Sequence, residues 1–308
     1  MARRWLITGC SRGLGRALAE AAAQAGEQVA VTARGTASLA PLVEAYPGNV
    51  VPLALDVRDA AQCAEVVAAA HDRLGGIDVL VNNAGIGLFG AVEETGDAEL
   101  RDQFETLVFG PWRLVRLVLP HMRAQHGGHI VNVSSSGARS MMPGLAAYLS
   151  AKQALESMSQ ALVTEVAPFG IRVTVVEPGP YATDYGKAMT ETTAKLDAYG
   201  AVAPFIDLFR GLAENPIAGR PEDYARALLR ILDTPAPTPL RIPLGSGAAE
   251  MADAALHAAR DEFEAAQALA AAATAPDDPD PAATAAADTA SDTLQSADTL
   301  AAANGSAP

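Results

Sequence analysis

Short runs rich in β-branched residues alternate with longer Ala- and Leu-rich segments over roughly the first 250 residues of the chain. The runs are almost wholly apolar, which is typical of strands covered on both faces of a parallel sheet. The alternation therefore predicts an α/β fold, a doubly wound parallel sheet of about seven strands with helices on both faces. The predicted strands are Trp5–Thr8, Gln28–Thr32, Val50–Ala54, Val79–Asn82, His129–Ser134, Arg172–Glu177 and Leu240–Pro243. The clearest predicted helices are Gly15–Ala25, Ala60–Leu74, Glu99–Arg123 and Tyr148–Ala167.

The composition changes towards the end of the chain. From about residue 266 onward Ala, Thr, Asp, Pro and Ser dominate, and between Ala272 and Pro308 only Leu294 and Leu300 are large and apolar. Such a segment cannot bury enough apolar surface to offset the entropy lost on ordering. We therefore predict a single domain over residues 1–265 and a disordered Ala/Asp/Thr/Pro-rich tail over residues 266–308.

Residues 181–219 interrupt the alternation inside the predicted domain. They mix small residues with large apolar ones such as Met189, Tyr199, Phe205 and Phe209. An interrupted apolar excursion after a core strand is a common origin of a substrate lid. An extra packed helical hairpin explains the pattern equally well, and both descriptions can hold together.

Charge and cysteine content exclude several classes of partner. The formal net charge of −14 opposes binding to nucleic acid or to an anionic membrane surface. The two cysteines, Cys10 and Cys63, suit a reducing compartment without a disulfide framework. The apolar stretch Trp5-Leu6-Ile7 is too short for the core of a secretory leader, and no apolar run approaches the roughly 20 residues of a membrane span. We expect a soluble cytoplasmic protein with no membrane span.

A glycine-rich turn follows the first predicted strand and opens the first predicted helix. Its sequence is Thr8-Gly9-Cys10-Ser11-Arg12-Gly13-Leu14-Gly15. Glycines let a backbone turn tightly and approach a pyrophosphate, whose charge lies at the helix N-terminus. In this strand–turn–helix context the pattern predicts a Rossmann-like dinucleotide site.

The end of the second predicted strand bears on the choice of dinucleotide. An acidic residue there would bind the 2′-hydroxyl of the NAD ribose, but Ala33 stands at that position. Arg34 and Arg12 can instead hold a 2′-phosphate through charge-assisted hydrogen bonds. The alternative is that both arginines are solvated loop residues. We predict that NADP(H) is preferred over NAD(H).

Tyr148 and Lys152 are four residues apart on a predicted helix, with Ser135 thirteen residues upstream of the tyrosine. Positions i and i+4 share a helix face, so the phenol and the ammonium should point into the same space. A nearby cation lowers the pKa of a tyrosine from its free value of about 10. The pattern predicts a tyrosine that donates or accepts a proton near neutral pH.

Taken together, these motifs resemble the short-chain dehydrogenase/reductase family, over roughly residues 3–250. The spacing of the glycine turn fits the single-domain branch of that family. Further matches follow predicted strands, and they are Asp56-Val57, Asn82-Asn83-Ala84-Gly85, and Pro178-Gly179 with Thr183. The stretches 104–123 and 134–152 are most similar to members that act on steroids, retinoids or other hydrophobic alcohols and ketones.

The resemblance implies a role for each matched residue. Gly9, Gly13 and Gly15, with Ser11, Arg12 and Leu14 between them, would form the phosphate turn. Asp56 and Val57 would contact the adenine, Asn83-Ala84-Gly85 would line the adenosine ribose, and Pro178, Gly179 and Thr183 would lie at the nicotinamide. Ser135 would bind the substrate oxygen, Tyr148 would transfer the proton, and Lys152 would hold the nicotinamide ribose and lower the pKa of Tyr148. Taken singly, Asp56 fits a helix N-cap and Ser134–Ser136 an ordinary polar strand end equally well.

One position departs from the family pattern. Where the family has Asn in a sequence like Phe-x-x-Asn-Val-Phe-Gly, this chain has Leu107. The family resemblance implies that this Asn stabilises a helix irregularity whose carbonyl holds a water beside the lysine. Leucine can neither donate nor accept a hydrogen bond, so we expect a weakened proton relay and slower turnover.

The resemblance and the residues together predict an oxidoreductase that interconverts a secondary alcohol and a carbonyl on a hydrophobic molecule. We expect the pocket to be lined by Met141, Met142, Leu145, Tyr181 and residues 185–210. Apolar faces on the helices at 99–123 and 148–167 suggest a homodimer or homotetramer, as in the family. The main alternative is a catalytically weakened NADPH-binding scaffold or sensor, which Leu107 favours. A sugar-nucleotide epimerase is disfavoured by the glycine spacing and by the lack of a substantial second domain.

Overall fold

The computed structural model describes residues 2–140, 142–235 and 238–274. Its strands are β1 (Arg4–Ile7), β2 (Gln28–Ala33), β3 (Val50–Ala54), β4 (Val79–Asn82), β5 (Leu88–Phe89), β6 (Gly128–Val133), β7 (Ile171–Pro178), β8 (Thr190–Glu191) and β9 (Arg241–Leu244). Its α-helices are α1 (Gly13–Gln24), α2 (Ala40–Ala45), α3 (Ala60–Leu74), α4 (Asp97–Phe104), α5 (Gly110–Ala124), α6 (Ala146–Val166), α7 (Tyr185–Ala188), α8 (Pro204–Arg210), α9 (Pro221–Leu232) and α10 (Ala248–Thr274). A π-helix at Glu105–Phe109 joins α4 to α5, and 3₁₀ turns lie at Thr36–Leu39, Ser136–Arg139, Ala167–Phe169, Asp197–Tyr199 and Gly211–Glu214.

Seven of the strands form one parallel sheet in the order β3-β2-β1-β4-β6-β7-β9. The predicted doubly wound α/β fold is therefore confirmed. The chain builds the sheet outward from β1 through β2 to β3 and then crosses to β4 on the other side of β1. The connections consequently diverge between the carboxyl ends of β1 and β4, which is where ligands bind in open parallel sheets.

Alternate residues of the central strands face opposite helical layers. Trp5 and Ile7 pack in a cluster with residues of α1 and α9, whereas Leu6 packs in a second cluster with residues of α3 and α5. All three side chains are fully buried. Because both sides of the strand are covered, its sequence is apolar without the alternation of a half-exposed strand.

The helix predicted over residues 99–123 is divided by the π-helix. Pro111 has no N–H with which to bond the Leu107 carbonyl, and Gly110 donates instead to the Glu105 carbonyl five residues back. The irregularity thus forms with leucine at position 107, because the proline removes the hydrogen bond that a regular helix would need.

Residues 181–219 form short elements rather than a long hairpin. β8 pairs in parallel with β5, the strand that follows the β4 loop. Gly186 of α7 packs directly on the Phe209 carbonyl of α8. These elements pack together, and Met189 and Ile206 reach the cluster that contains Tyr148. A role for the segment as a substrate lid stays a prediction.

The chain divides into two compact units, Met1–Ala255 and Leu256–Pro308. Helix α10 crosses this division, and residues 266–274 are helical where the sequence predicted a disordered tail. These Ala-rich residues have high intrinsic helix propensity, which extends the helix although they bury little surface. The remainder of the predicted tail, 275–308, lies outside the described residues. Within the described ranges, no helix has both the length and the apolarity required to cross a bilayer.

Candidate active site

The predicted cofactor turn lies where β1 ends, beside the end of β4. Gly9 and Gly13 have φ values of +73° and +63°, a region of backbone conformation that favours glycine. The Thr8 hydroxyl accepts hydrogen bonds from the backbone N–H groups of Asn83 (2.9 Å) and Ala84 (3.0 Å). The loop after β4 is therefore fixed against the loop after β1, which forms one wall of the candidate site.

Asn83 braces the glycine turn with its side chain. Its Nδ2 donates to the carbonyls of Thr8 (2.9 Å) and Gly9 (3.2 Å). A Cβ added to Gly15 would overlap this amide and would stand 2.5 Å from the Gly9 carbonyl oxygen. The amide that we expected at the adenosine ribose is thus used to shape the turn. The absence of a side chain at Gly15 therefore lets the turn pack closely against Asn83, as expected of a glycine in a dinucleotide-binding turn.

The rest of the phosphate turn is open to solvent or to the opposite wall. Ser11 and Arg12 are exposed, while Leu14 is partly buried against the core. A Cβ on Gly13 would lie 3.7 Å from the Thr183 Cβ. The structure therefore brings the predicted phosphate turn and the predicted nicotinamide contact together, at the N-terminus of α1.

At the far end of the cleft, Asp56 binds Arg58. The guanidinium donates to both carboxylate oxygens, at 3.0 and 2.7 Å, and this pairing lowers the pKa of Asp56. The exposed Arg34 adds a smaller electrostatic effect in the same direction, so it lies near Asp56. The helix N-cap reading of Asp56 is wrong, because Asp59 accepts the N–H groups at the start of α3.

The remaining predicted cofactor residues differ in accessibility. The Val57 side chain is buried and abuts Gly110, so only its backbone can face a ligand. Gly85 is exposed at the end of the β4 loop. Pro178 ends β7, and Gly179 donates its N–H to the Leu244 carbonyl at 2.9 Å. The predicted cofactor residues thus follow β1, β2, β3, β4 and β7 along the carboxyl edge of the sheet.

The predicted acid–base residues meet at the start of α6. The Tyr148 hydroxyl lies beside Ser135, whose Oγ accepts the N–H of Gly137 at 3.1 Å. Lys152 is buried, its Nζ lies 5.8 Å from the Tyr148 ring centroid, and it donates to the Val133 carbonyl at 2.6 Å. The common helix face predicted from the i, i+4 spacing is present.

The pKa of Tyr148 differs from the expectation drawn from its neighbour Lys152. Burial raises the pKa of Tyr148, and hydrogen bonds to Tyr185 and Ser135 oppose that rise. Burial also lowers the pKa of Lys152 to about 8, and Glu156 opposes that change. The expected lowering of the Tyr148 pKa by Lys152 is therefore not present in this structure, because burial of the phenol dominates.

A buried polar network lies beneath Ser135 and Lys152. The Ser134 hydroxyl donates to Glu156 at 2.6 Å, and the other Glu156 oxygen accepts from Arg241 at 2.9 Å. Arg139 donates to Glu177, whose burial raises its pKa. These bonds explain how two carboxylates are held in the interior below the site.

Leu107 and the Lys152 ammonium both lie close to Gly85. Leu107 is 1% exposed. A Cβ added to Gly85 would lie 2.9 Å from Leu107 Cδ2 and 3.9 Å from Lys152 Nζ. An apolar side chain therefore occupies space beside the ammonium, which agrees with the burial that lowers the lysine pKa.

We expect Leu107→Asn to raise the turnover number about two- to tenfold, because an amide oxygen would accept a hydrogen bond near the buried ammonium. Steady-state kinetics and a thermal melt measure the gain in turnover and the cost of burying the amide. Leu107→Ala is the control, since it makes space without adding a polar group. A sharp loss of turnover in the Asn variant would mean that the site is built around leucine.

An apolar cluster surrounds the predicted proton donor. Tyr148 packs in it with Leu145, and Met142 is partly buried against the same cluster. The other contributors are Phe89, Leu107, Val108, Leu149, Ala151, Met189 and Ile206, with Phe104, Ala154, Val202 and Phe209 at its edge. Met141 lies outside the described residues. The structure therefore brings two of the four named substrate residues to Tyr148, with part of segment 185–210.

Tyr181 does not line this region, and that prediction is wrong. Its ring is 8% exposed and packs edge-on against Tyr224 of α9, with 5.4 Å between ring centroids. Gly219 and Gly245 lie close to the same ring. Only Ala182 separates Tyr181 from Thr183, yet the tyrosine packs in the core with residues of the sheet and α9.

Tyr185 is the first residue of the segment 185–210 that we predicted to line the pocket, but the sequence predicted no individual role for it. Its ring lies beside that of Tyr148, with 6.1 Å between the ring centroids and a tilt of 51°. The available signal was its position, since it is an aromatic residue two places after Thr183 in a segment already predicted to cover the site.

Comparisons with known proteins agree on one family. The sequence profile described as short chain dehydrogenase matches residues 3–194. The oxidoreductase BOA17 of Botryotinia fuckeliana is 40% identical over 254 residues, which cover 82% of this chain and 92% of that protein. The 17-beta-hydroxysteroid dehydrogenase type 1 of Homo sapiens is 33% identical over 76% of this chain and 75% of that protein. The crystal structure of a short-chain dehydrogenase from Streptomyces avermitilis has a TM-score of 0.80 at 43% identity, covering 88% of this chain and 97% of that one.

Proposed function

The chain belongs to the short chain dehydrogenase family and is an oxidoreductase of alcohols and carbonyls that uses NAD(P)(H). From this premise we propose that it prefers NADP(H) and interconverts a hydrophobic secondary alcohol and its ketone. The observation that carries the proposal is the meeting of Ser135 and Tyr148, with buried Lys152 alongside, on the same edge of the sheet as the glycine turn. These groups can act together on one substrate oxygen.

In the reduction direction, the roles of the side chains follow from their hydrogen bonds. Ser135 accepts the Gly137 N–H, so its hydroxyl hydrogen is available to the substrate oxygen or to Tyr148. Tyr148 donates the proton to the same oxygen. When bound, NADPH supplies the hydride to the carbonyl carbon. Burial favours the protonated phenol, which is the form required of a general acid.

Lys152 serves this arrangement by position. Its bond to the Val133 carbonyl fixes the ammonium between the end of β6 and the tyrosine ring. A lysine held there can bind the nicotinamide ribose, the role implied by the family resemblance.

The preference for NADP(H) rests on Arg34 and Arg12. Both are exposed, Arg34 directly follows β2, and Arg12 lies in the glycine turn. Arg58, by contrast, is bound to Asp56 and Asp102. The two exposed arginines are therefore the cations we assign to a 2′-phosphate.

We expect Arg34→Asp to reduce the ratio of kcat/KM with NADPH to kcat/KM with NADH by at least about tenfold, because it replaces a charge-assisted hydrogen bond with repulsion. Cofactor titrations of the two nucleotides measure the ratio. Arg34→Gln is the control, since it removes the cation without adding a carboxylate and should weaken NADPH alone. An unchanged ratio in the Asp variant would remove Arg34 as the selector.

The substrate class is inferred from the apolar cluster around Tyr148. Phe89, Met142, Leu145 and Met189 contribute apolar surface beside the proton donor. Relatives named for hydrophobic substrates include the human 17-beta-hydroxysteroid dehydrogenase described above. We therefore propose a hydrophobic alcohol, ketone or aldehyde as substrate rather than a sugar or a small polar acid.

The proposed activity is tested by following NADPH oxidation with 1-indanone, androstenedione, retinal and menadione. Consumption of NADPH dependent on one of these carbonyls, with the matching alcohol as product, supports the proposal. Tight NADPH binding without turnover across the panel would instead favour a cofactor-binding scaffold or sensor. Leu107 beside Lys152 is the observation that favours that second function.

Two further proposals concern the setting of the enzyme. Phe109 and Trp112 are 46% and 52% exposed at the start of α5, and we propose that this apolar surface pairs subunits in a homodimer or homotetramer. A monomer in sedimentation equilibrium would contradict this.

Cys10 and Cys63 are both free and buried, in keeping with the proposed cytoplasmic location. Fractionation that placed the protein outside the cytoplasm would contradict that location.

A further inference from the structure

We propose that Tyr185 is a positioning residue that donates a hydrogen bond to the Tyr148 hydroxyl and so orients the proton for transfer. This inference rests on the proposed function, since it assigns Tyr148 as the proton donor. It adds a second phenol, contributed by the segment between β7 and α9, to the acid–base group.

The geometry places the Tyr185 hydroxyl inside the site although part of the residue is at the surface. The residue is 36% exposed overall, but its ring lies 6.1 Å from that of Tyr148 and is tilted by 51° to it. A Cβ added to the buried Gly87 would stand 3.0 Å from the Tyr185 hydroxyl oxygen. The hydroxyl is therefore held between the loop after β4 and the tyrosine of α6.

The direction of the hydrogen bond follows from the chemistry. A phenol carries one hydrogen, and Tyr148 must give that hydrogen to the substrate oxygen during reduction. Tyr185 must then be the donor to Tyr148, which accepts through a lone pair. Consistent with this assignment, the Tyr185 bond is the larger of the two hydrogen-bond effects that oppose the raised pKa of Tyr148, and Ser135 is the smaller.

The other titratable groups around the pair act from different elements. Lys152 of α6 lies 5.8 Å from the Tyr148 ring centroid and bonds the Val133 carbonyl. Glu156, one turn further along α6, opposes the lowering of the Lys152 pKa by burial. Burial raises the pKa of Tyr185 well above its ordinary value, and Tyr148 adds to the rise, so Tyr185 stays protonated and remains a donor.

The test is Tyr185→Phe, which removes the hydroxyl and keeps the ring. Oxidation of 1-indanol with NADP⁺ needs the Tyr148 phenolate, so its rate rises as pH passes the pKa of Tyr148. Loss of the donated bond raises that pKa, which moves the rising limb to higher pH and slows oxidation about three- to tenfold on the limb. Reduction of 1-indanone needs the protonated phenol, so its rate falls at alkaline pH. In the variant this fall also moves to higher pH. A purely structural effect would lower the plateau without moving either limb.

A second variant and a substrate-independent reading accompany the first. Gly87→Ala should displace the Tyr185 hydroxyl and move the limbs in the same direction as Tyr185→Phe. Tyr199→Phe is the matched control, because it removes an exposed tyrosine hydroxyl bonded to Glu93 in the same segment. Nuclear magnetic resonance of ¹³Cζ-labelled tyrosine with NADPH bound follows Tyr148 ionisation directly, with Tyr148→Phe used to assign its signal.

The outcomes separate this inference from the proposed function. A shift of the midpoint of Tyr148 ionisation to higher pH in Tyr185→Phe, absent in Tyr199→Phe, supports the positioning role. An unchanged midpoint overturns it, and a downward shift means that Tyr185 accepts the hydrogen bond and overturns it as well. The proposed function fails separately, if the parental protein turns over none of the carbonyls or if Tyr148→Phe retains full activity.

Discussion

Tyr148→Phe is expected to lower kcat by about 10²–10⁴-fold, because the ring stays in place while the proton donor is removed. NADPH affinity should stay at the parental value, since the glycine turn and Arg34 do not contact the lost hydroxyl. The hydroxyl lies beside Ser135 and Tyr185, within the apolar cluster around α6. Stopped-flow or steady-state rates with 1-indanone, together with NADPH fluorescence titration, measure the two quantities.

The control for that variant is Tyr224→Phe. The Tyr224 hydroxyl is buried and has no hydrogen-bond partner among the residues described, so its removal should leave both turnover and cofactor affinity unchanged. Tyr148→Phe turning over a carbonyl at the parental rate would show that another group provides the proton. Loss of NADPH binding in the same variant would show that the tyrosine mainly shapes the cofactor site.

Gly15→Ala is expected to weaken NADPH binding at least about 100-fold and to destabilise the protein by roughly 1–3 kcal/mol, since an added methyl group overpacks a filled site. The new Cβ would overlap the Asn83 amide and stand 2.5 Å from the Gly9 carbonyl oxygen. Either the turn or the β4 loop must shift, and the cradle for the pyrophosphate is lost in both cases. Fluorescence titration and thermal unfolding measure these effects.

Gly211→Ala serves as the matched glycine control for the turn. A Cβ at Gly211 meets nothing within 4 Å, so the same chemical change should be nearly neutral there. Parental NADPH affinity in Gly15→Ala would mean that this turn does not cradle the phosphates. A loss of stability with retained affinity would mean that Asn83 braces the fold rather than the cofactor site.

The sheet could be predicted because each buried strand carries its own signal. Val50–Ala54, Val79–Asn82 and helix Ala60–Leu74 have the predicted bounds, since turn residues punctuate short apolar runs at both ends. The glycine turn was predictable for the same reason, because a strand, three glycines and a helix together leave few alternatives. The family and the fold are confirmed, whereas the roles of individual site residues stay predictions.

What the sequence did not disclose depends on contacts between distant segments. Tyr181 and Tyr185 are equally plausible lining residues by position, yet one packs in the core against Tyr224 and the other reaches Tyr148. The pKa of Tyr148 likewise depends on how deeply the phenol is buried, which the spacing to Lys152 does not reveal. The π-helix arises from Pro111, a cause that the comparison with an Asn at position 107 obscured.

The parallel pairing of β5 with β8 limits how a substrate can enter. The N–H groups of Thr190 and Thr192 donate to the carbonyls of Gly87 and Phe89, at 2.9 Å each, so the covering segment is bonded to the loop after β4. Two such bonds contribute about 1–3 kcal/mol. Were a bulky substrate to reach Tyr148 past this segment, either both bonds would break or Gly87 and Tyr185 would move together. In the second case each product-release event would also carry the second phenol away from Tyr148, so proton transfer and exit would be mutually exclusive in time.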